Sequence, residues 1–257
     1  MTTWTSFPYI DDYVFDATSL TKNWARLHQC DCEPLPQDKA VMQAWLLFHN
    51  GHFQQATLAG IAAGGDGITA ANKASCVYAN YLETQEKTRF ELFMQAAARA
   101  EAQQAEQPSN ANAWFWQAYA LGRYSQGISV TKALAQGLGK KVKDALEQTI
   151  ALSPLHADAH IALAAFHAEV IDKIGPLIGR MTFGAKKDIG LMLFQRALTL
   201  NPHSVVALIE YANGLIALEG DQKMQDATRL FEKAASSHPM DAAERLAVEL
   251  ARGQLQE

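Results

Sequence analysis

The sequence is short of positive charge, of cysteine and of long apolar runs, and each shortage closes a class of function. Its 257 residues hold 22 lysines and arginines against 27 aspartates and glutamates, a formal net charge of −5. Binding a phosphate backbone needs clustered positive charge, so nucleic acid is not the expected partner. No stretch approaches the roughly eighteen uninterrupted apolar residues of a membrane span. The opening residues, MTTWTSFPYIDDYVFD, lack the basic and then apolar segments of an export signal. A soluble, cytoplasmic chain without membrane insertion is expected. Cys30, Cys32 and Cys76 are odd in number and suggest reduced thiols rather than a disulfide framework. β-branched runs are scarce and glycine and proline modest, which favours helix over strand almost everywhere.

Hydrophobic residues make up 49% of the chain, enough for a large core and too many for disorder. They are organised by a recurring stop. Apolar helical stretches halt at Pro108, Pro154, Pro202 and Pro239 and then resume, with spacings of 46, 48 and 37 residues. Past the first three prolines, small residues stand in register: Ala113 and Ala118, Ala159 and Ala164, Ala207 and Ala212. Before the last three, Leu146, Phe194 and Phe231 stand eight residues upstream, and Thr149, Ala197 and Ala234 five upstream. Residues three apart share a helix face, so each unit reads as helix A then helix B, with proline opening the next A through its tolerance of the first helical turn.

This pattern resembles a tetratricopeptide (TPR) array, whose 34-residue unit carries small residues on both helices and a terminal proline. The best match is VVALIEYANGLIALEGDQKMQDATRLFEKAASSHP, with the family's small residues on Ala212, Ala227 and Ala234 and its aromatic on Phe231. An earlier unit, AVMQAWLLFHNGHFQQATLAGIAAG, places Gly51 at the turn, Phe53 after it and Ala56 on helix B. Two more helices are read in ITAANKASCVYANYLE and TRFELFMQAAARAEAQQAEQ. The resemblance implies an all-α, TPR-like solenoid of about ten to twelve helices over residues 37–257, preceded by an arm or cap over residues 1–36. In that arm SLTKNWARLH reads as a short helix capped by Ser19 or Thr21. The segment AWFWQAYALGRYSQG, with the long insertion after it and DALEQTIALSPLHADAHIALAAFHAEV, is also similar, more weakly, to TPR proteins related to the eukaryotic regulators of microtubule dynamics and to the T component of bacterial tripartite periplasmic transporters. That implies a bacterial protein without an assigned activity.

The long spacings exceed the 34-residue unit by 12 and 14 residues, and the excess falls between helices A and B, at Tyr124–Gly139 and Asp172–Ala185. Both insertions are apolar and contain glycine, and both are expected on one edge of the solenoid as neighbours. Each leads into paired lysines, Lys140 and Lys141, then Lys186 and Lys187. Cations opening a helix oppose its dipole, so an anion site is a candidate there, beside the simpler reading of solvated lysines. GLGKK is no phosphate loop, since GxxxxGK[ST] needs Ser or Thr where Lys141 stands.

No chemistry of catalysis is expected. His28, Cys30 and Cys32 alternate in HQCDC, but a fourth ligand and a CxxC knuckle are missing, so no metal is assigned. His156, His160 and His167 share one helical stripe without the glutamate of HExxH, and they read as packing residues. No GxSxG elbow occurs, and no cofactor is implied. What remains is surface. In TPR arrays the A helices line the concave face, which by resemblance places Asn112, Phe115, Tyr119, Arg123, Asp158, Ile161, Glu169, Val206, Ile209 and Asn213 there. Phe115 and Tyr119 beside Arg123 would anchor a protein or peptide partner. Alternatively the aromatic arm, with Trp4, Phe7, Tyr9, Tyr13 and Phe15, covers them. The expected function is a non-enzymatic interaction scaffold. The alternative is a binding protein for a small apolar or anionic ligand held between groove and insertions.

Overall fold

The computed structural model describes residues 4–256, and among them it contains fourteen α-helices, one 3-10 turn and no strand. A short helix, α1 (Ala17–Leu27), precedes the hairpins. The hairpins pair α2 (Lys39–His49) with α3 (Phe53–Ala63), and α4 (Gly67–Tyr81) with α5 (Glu86–Glu106). In the next two, a short helix interrupts the pair: α6 (Ala111–Gln126), α7 (Val130–Ala135) and α8 (Leu138–Leu152), then α9 (Ala157–Ile174), α10 (Pro176–Phe183) and α11 (Lys187–Leu200). The last pair is α12 (Val205–Glu219) and α13 (Met224–Ala235), joined by the 3-10 turn Gly220–Lys223, and α14 (Ala242–Gln254) ends the array. Without α7 and α10 the helices number twelve. These two are the insertions, which fold into helices rather than loops.

The small residues sit where the helices touch. Ala113, Ala159, Ala164, Ala207 and Ala212 have no exposed surface, and Ala118 almost none. Contact there is too close for larger side chains, and Gly214 shows the limit: a Cβ would lie 2.3 Å from Cε2 of Phe194. The prolines act differently from the sequence expectation. They lie outside the A helices, two residues before the caps. The N-caps are Asn110, His156, Ser204 and Asp241, each accepting from the backbone N–H three residues on. Proline turns the chain and the next-but-one side chain satisfies the open first turn. Likewise α1 is capped by Asp16, not Ser19 or Thr21; Ser19 is the reciprocal partner in a capping box.

The array is closed by its own ends. α14 packs back onto α2 and α4. His49 Nδ1 bonds Asp241 Oδ2 at 2.7 Å, and Arg26 Nη1 donates to Glu244 Oε1 at 2.8 Å. The N-terminal arm seals the same seam. Trp4 stacks on Tyr78 with centroids 4.1 Å apart, Phe7 meets Phe53 edge-on, and the Arg245 guanidinium lies 4.1 Å from the Tyr9 ring centre. The Phe15 N–H donates to Asn50 Oδ1 at 2.7 Å. The arm therefore packs on α2 to α4 and α14, and these contacts leave Phe115 and Tyr119 to their own neighbours.

Asp241 both caps α14 and holds buried His49, so Asp241→Ala should cost about 2–4 kcal/mol from the lost cap and the unpaired imidazole. Urea denaturation checks this. An unchanged midpoint would mean that α14 is not fastened through this residue.

Candidate binding chamber

Three A helices face inward around one cavity. α6 contributes Phe115, Trp116 and Tyr119, α9 contributes Ile161, Ala165 and Phe166, and α12 contributes Val205 and Val206. Val77 and Tyr81 of α4 and Leu146 of α8 complete an apolar chamber of about 200 Å³. Arg26, Asp241 and Glu244 line it where the two chain ends meet. Beside it lies a wetter vestibule of about 470 Å³, lined by Asn80, Asp172, Lys173, Ile209 and Asn213 among others. Tyr81, Arg123, Glu169, Val206 and Glu210 border both spaces.

That border is a polar lattice. Arg123 Nη2 donates to Glu210 Oε1 at 2.6 Å, Arg123 Nη1 to Gln126 Oε1 at 3.1 Å, and Gln126 Nε2 to Glu169 Oε2 at 3.0 Å. The guanidinium also lies over the Tyr119 ring, 5.3 Å from its centre. Burial would lower the Arg123 pKa, but Glu210 and Tyr119 override it and raise it, so the guanidinium keeps its charge. Nine of the ten residues expected on the concave face thus line one of the two spaces. Asn112 does not: it is buried behind the wall, where Nδ2 donates to Glu33 Oε2 at 2.6 Å and Oδ1 faces His156 Nε2 at 2.9 Å.

Behind the chamber runs a buried polar chain that sequence reasoning missed. Lys73 Nζ donates to Asp31 Oδ2 at 2.5 Å; the other Asp31 oxygen meets His28 Nδ1 at 2.9 Å; and His28 Nε2 lies 3.2 Å from His49 Nε2, which leads to Asp241. Burial pushes the Asp31 carboxyl up, but Lys73 and His28 overcome it and hold the group well below the usual range. Burial takes His28 down to about 4, so it is neutral. Burial and then the Asp31 charge raise Glu33 to about 8, leaving it protonated at neutral pH. Burial lifts Asp158 to about 6 against the pull of Lys73, and it raises the Cys30 thiol well above its ordinary value, which keeps the thiol beside Lys73 protonated.

The paired lysines stand apart from both spaces. Lys140 pairs with Asp144 and Lys187 with Glu219 at 2.7 Å, Lys141 and Lys186 are exposed, and none of the four lines the chamber or the vestibule. His156 caps α9, His160 Nε2 bonds the Pro154 carbonyl at 3.0 Å, and His167 Nδ1 accepts from the Lys186 N–H at 3.2 Å. Among the described residues no group of three or more His, Cys, Asp or Glu is disposed to hold a metal ion. No helix among them is long and apolar enough to cross a membrane.

No family model and no curated protein matches the chain. Among solved structures it is similar to a thermophilic TPR protein of Thermus thermophilus, with a TM-score of 0.57 and 14% identity over 83% of this chain and 97% of that one. A likeness at that identity is one of fold, and with the hairpin order above it defines an all-α, TPR-like helical solenoid with two long A–B insertions.

Glu33 ties the chamber wall to pH. Its folded pKa lies above its unfolded value, so its contribution is fully present below about 4.5 and is lost as pH rises through about 8. Glu33→Gln keeps the acceptor for Asn112 and removes the titration. The variant should therefore gain on the wild type between pH 5 and 8, by about 3 kcal/mol at the upper end. Parallel difference curves from urea titrations would contradict this.

Proposed function

We propose that the chain is a non-enzymatic, cytoplasmic interaction scaffold that takes a short segment of a protein partner into the vestibule and anchors an apolar side chain in the chamber behind. The supporting observation is convergence: A-helix positions from three consecutive units line two adjacent spaces that share Tyr81, Arg123, Glu169, Val206 and Glu210. The chamber offers aromatic walls to the anchor, and the lattice of Arg123, Gln126, Glu169 and Glu210 offers donors and acceptors to the backbone that continues from it. In this reading residues 1–36 cap the array of residues 37–257 and hold it closed. A second reading, a small apolar ligand in place of a peptide, is favoured by the closed rear wall, because α14 and the arm stop an extended chain from running through.

Ala165 borders both spaces and is only partly buried, so a tryptophan there fills the entrance without overpacking the wall. Peptides selected from a random display library on the wild type should bind the Ala165→Trp variant at least about tenfold more weakly by calorimetry, a loss of about 1.4 kcal/mol. Equal affinity for both proteins would mean that the chamber takes no part in binding. If no peptide is selected, and native mass spectrometry of the wild type alone shows a bound small molecule, the second reading stands.

A further inference from the structure

The two insertions carry a surface that the chamber does not use. α10 packs inward through Gly179, where a Cβ would lie 3.0 Å from Val170 Cγ1, and through Phe183, which meets Phe166 edge-on. Its outer face is apolar as well: Leu177, Ile178 and Met181 are 71%, 57% and 79% exposed. Positions 177, 178 and 181 fall on one side of the helix. Phe183 also lies against Gly139, where a Cβ would come within 2.7 Å of its ring, so the end of the first insertion adjoins the second. The first insertion exposes Val130 and Leu134, one turn apart on α7.

The charge of these segments is opposite to that of the rest. Taken with the lysine pair that follows each insertion, residues 124–141 hold Lys132, Lys140 and Lys141 and no acid, and residues 172–187 hold Lys173, Arg180, Lys186 and Lys187 against Asp172. Each segment is therefore +3 on a chain of −5, and the remainder stands at −11. Lys140, Lys173 and Lys187 are taken up by Asp144, Glu169 and Glu219. Lys132, Lys141, Arg180 and Lys186 form no ion pair among the described residues. An apolar helical face set among free cations, on a body that is otherwise anionic, is complementary to an anionic phospholipid surface.

We propose that the α7–α10 lip docks the protein on anionic membranes, with Leu177, Ile178 and Met181 entering the headgroup boundary. A lipid surface accepts this shape better than a folded partner does. The apolar residues stand out on short helices, and Leu177, Ile178 and Met181 line neither of the two cavities. The acidic remainder would be repelled from the same surface, which orients the molecule lip-first. This is peripheral attachment, separate from the chamber and from whatever occupies it.

Flotation of the purified full chain with vesicles tests the proposal. The wild type should float with equal parts phosphatidylglycerol and phosphatidylcholine, stay behind with phosphatidylcholine alone, and be released as salt is raised. Leu177→Glu with Met181→Glu should cut the bound fraction roughly tenfold or more, and Lys141→Glu with Lys186→Glu should do so at low salt. All four side chains are exposed, so unchanged circular dichroism and melting would show intact variants. Wild type that ignores anionic vesicles, or an apolar double variant that binds as well as the wild type, overturns the proposal. So does a dimer in sedimentation equilibrium that the apolar variant dissociates while no vesicle binding occurs, since a second copy would then own the lip.

Discussion

His49 and Asp241 stand 192 positions apart in sequence and 2.7 Å apart in space, and their contact determines what the concave face is. An open solenoid offers a groove along which an extended chain could lie. Joined end to end, the same hairpins enclose a chamber with one wet side. The contact holds because it is the outer link of a chain in which each buried group has a partner: Lys73, Asp31, His28, His49 and Asp241 in order. A buried charge without a partner would destabilise this seam by several kcal/mol, whereas a fully bonded set is tolerated and fixes one arrangement. Arg26 with Glu244, and the aromatic arm over Tyr78 and Phe53, reinforce the seam from the partly wet side.

Closure in turn needs the hairpins to curve by a set amount, which the small residues make possible. Where Ala164 and Ala212 are fully buried and Gly214 lies under the ring of Phe194, helix axes approach more closely than larger residues allow. The insertions add a second layer on one edge. Phe183 reaches back over Gly139 and against Phe166, so α10 covers apolar surface near the chamber while leaving its own outer face bare.

The fold was largely legible because it is written in local, repeating terms. Proline spacing marked the units, alanine register marked the contacts, and the lengths of the insertions could be read by subtraction. The same register assigned residues to a concave face, and all of those but Asn112 line the chamber or the vestibule. Val77, Tyr81, Trp116, Leu146 and Phe166 of the chamber lay outside that reading. The Asn112 side chain turns back into the protein because Glu33 and His156 both need a partner there, and neither need is visible at position 112. The caps were half visible: Asn110, Ser204 and Asp241 are ordinary N-cap types, but His156 does the same work from within a histidine stripe that suggests packing. Closure was not legible at all. His28, Asp31, Lys73 and Asp241 belong to no shared period, and only the path of the backbone brings them together. The helicity of α7 and α10 was hidden for a similar reason, since six and eight residues are too few to show a period.

The chamber and its proposed occupant both depend on closure, and an interspin distance reads closure directly. Genetically encoded spin labels at Lys22 on α1 and Leu250 on α14 would be measured by double electron–electron resonance in frozen solution. A closed array predicts a single narrow distance distribution in the wild type, replaced by a broader and longer one in Asp241→Ala. A broad, long distribution already present in the wild type would mean that the ends are free, that the groove is open, and that no chamber exists.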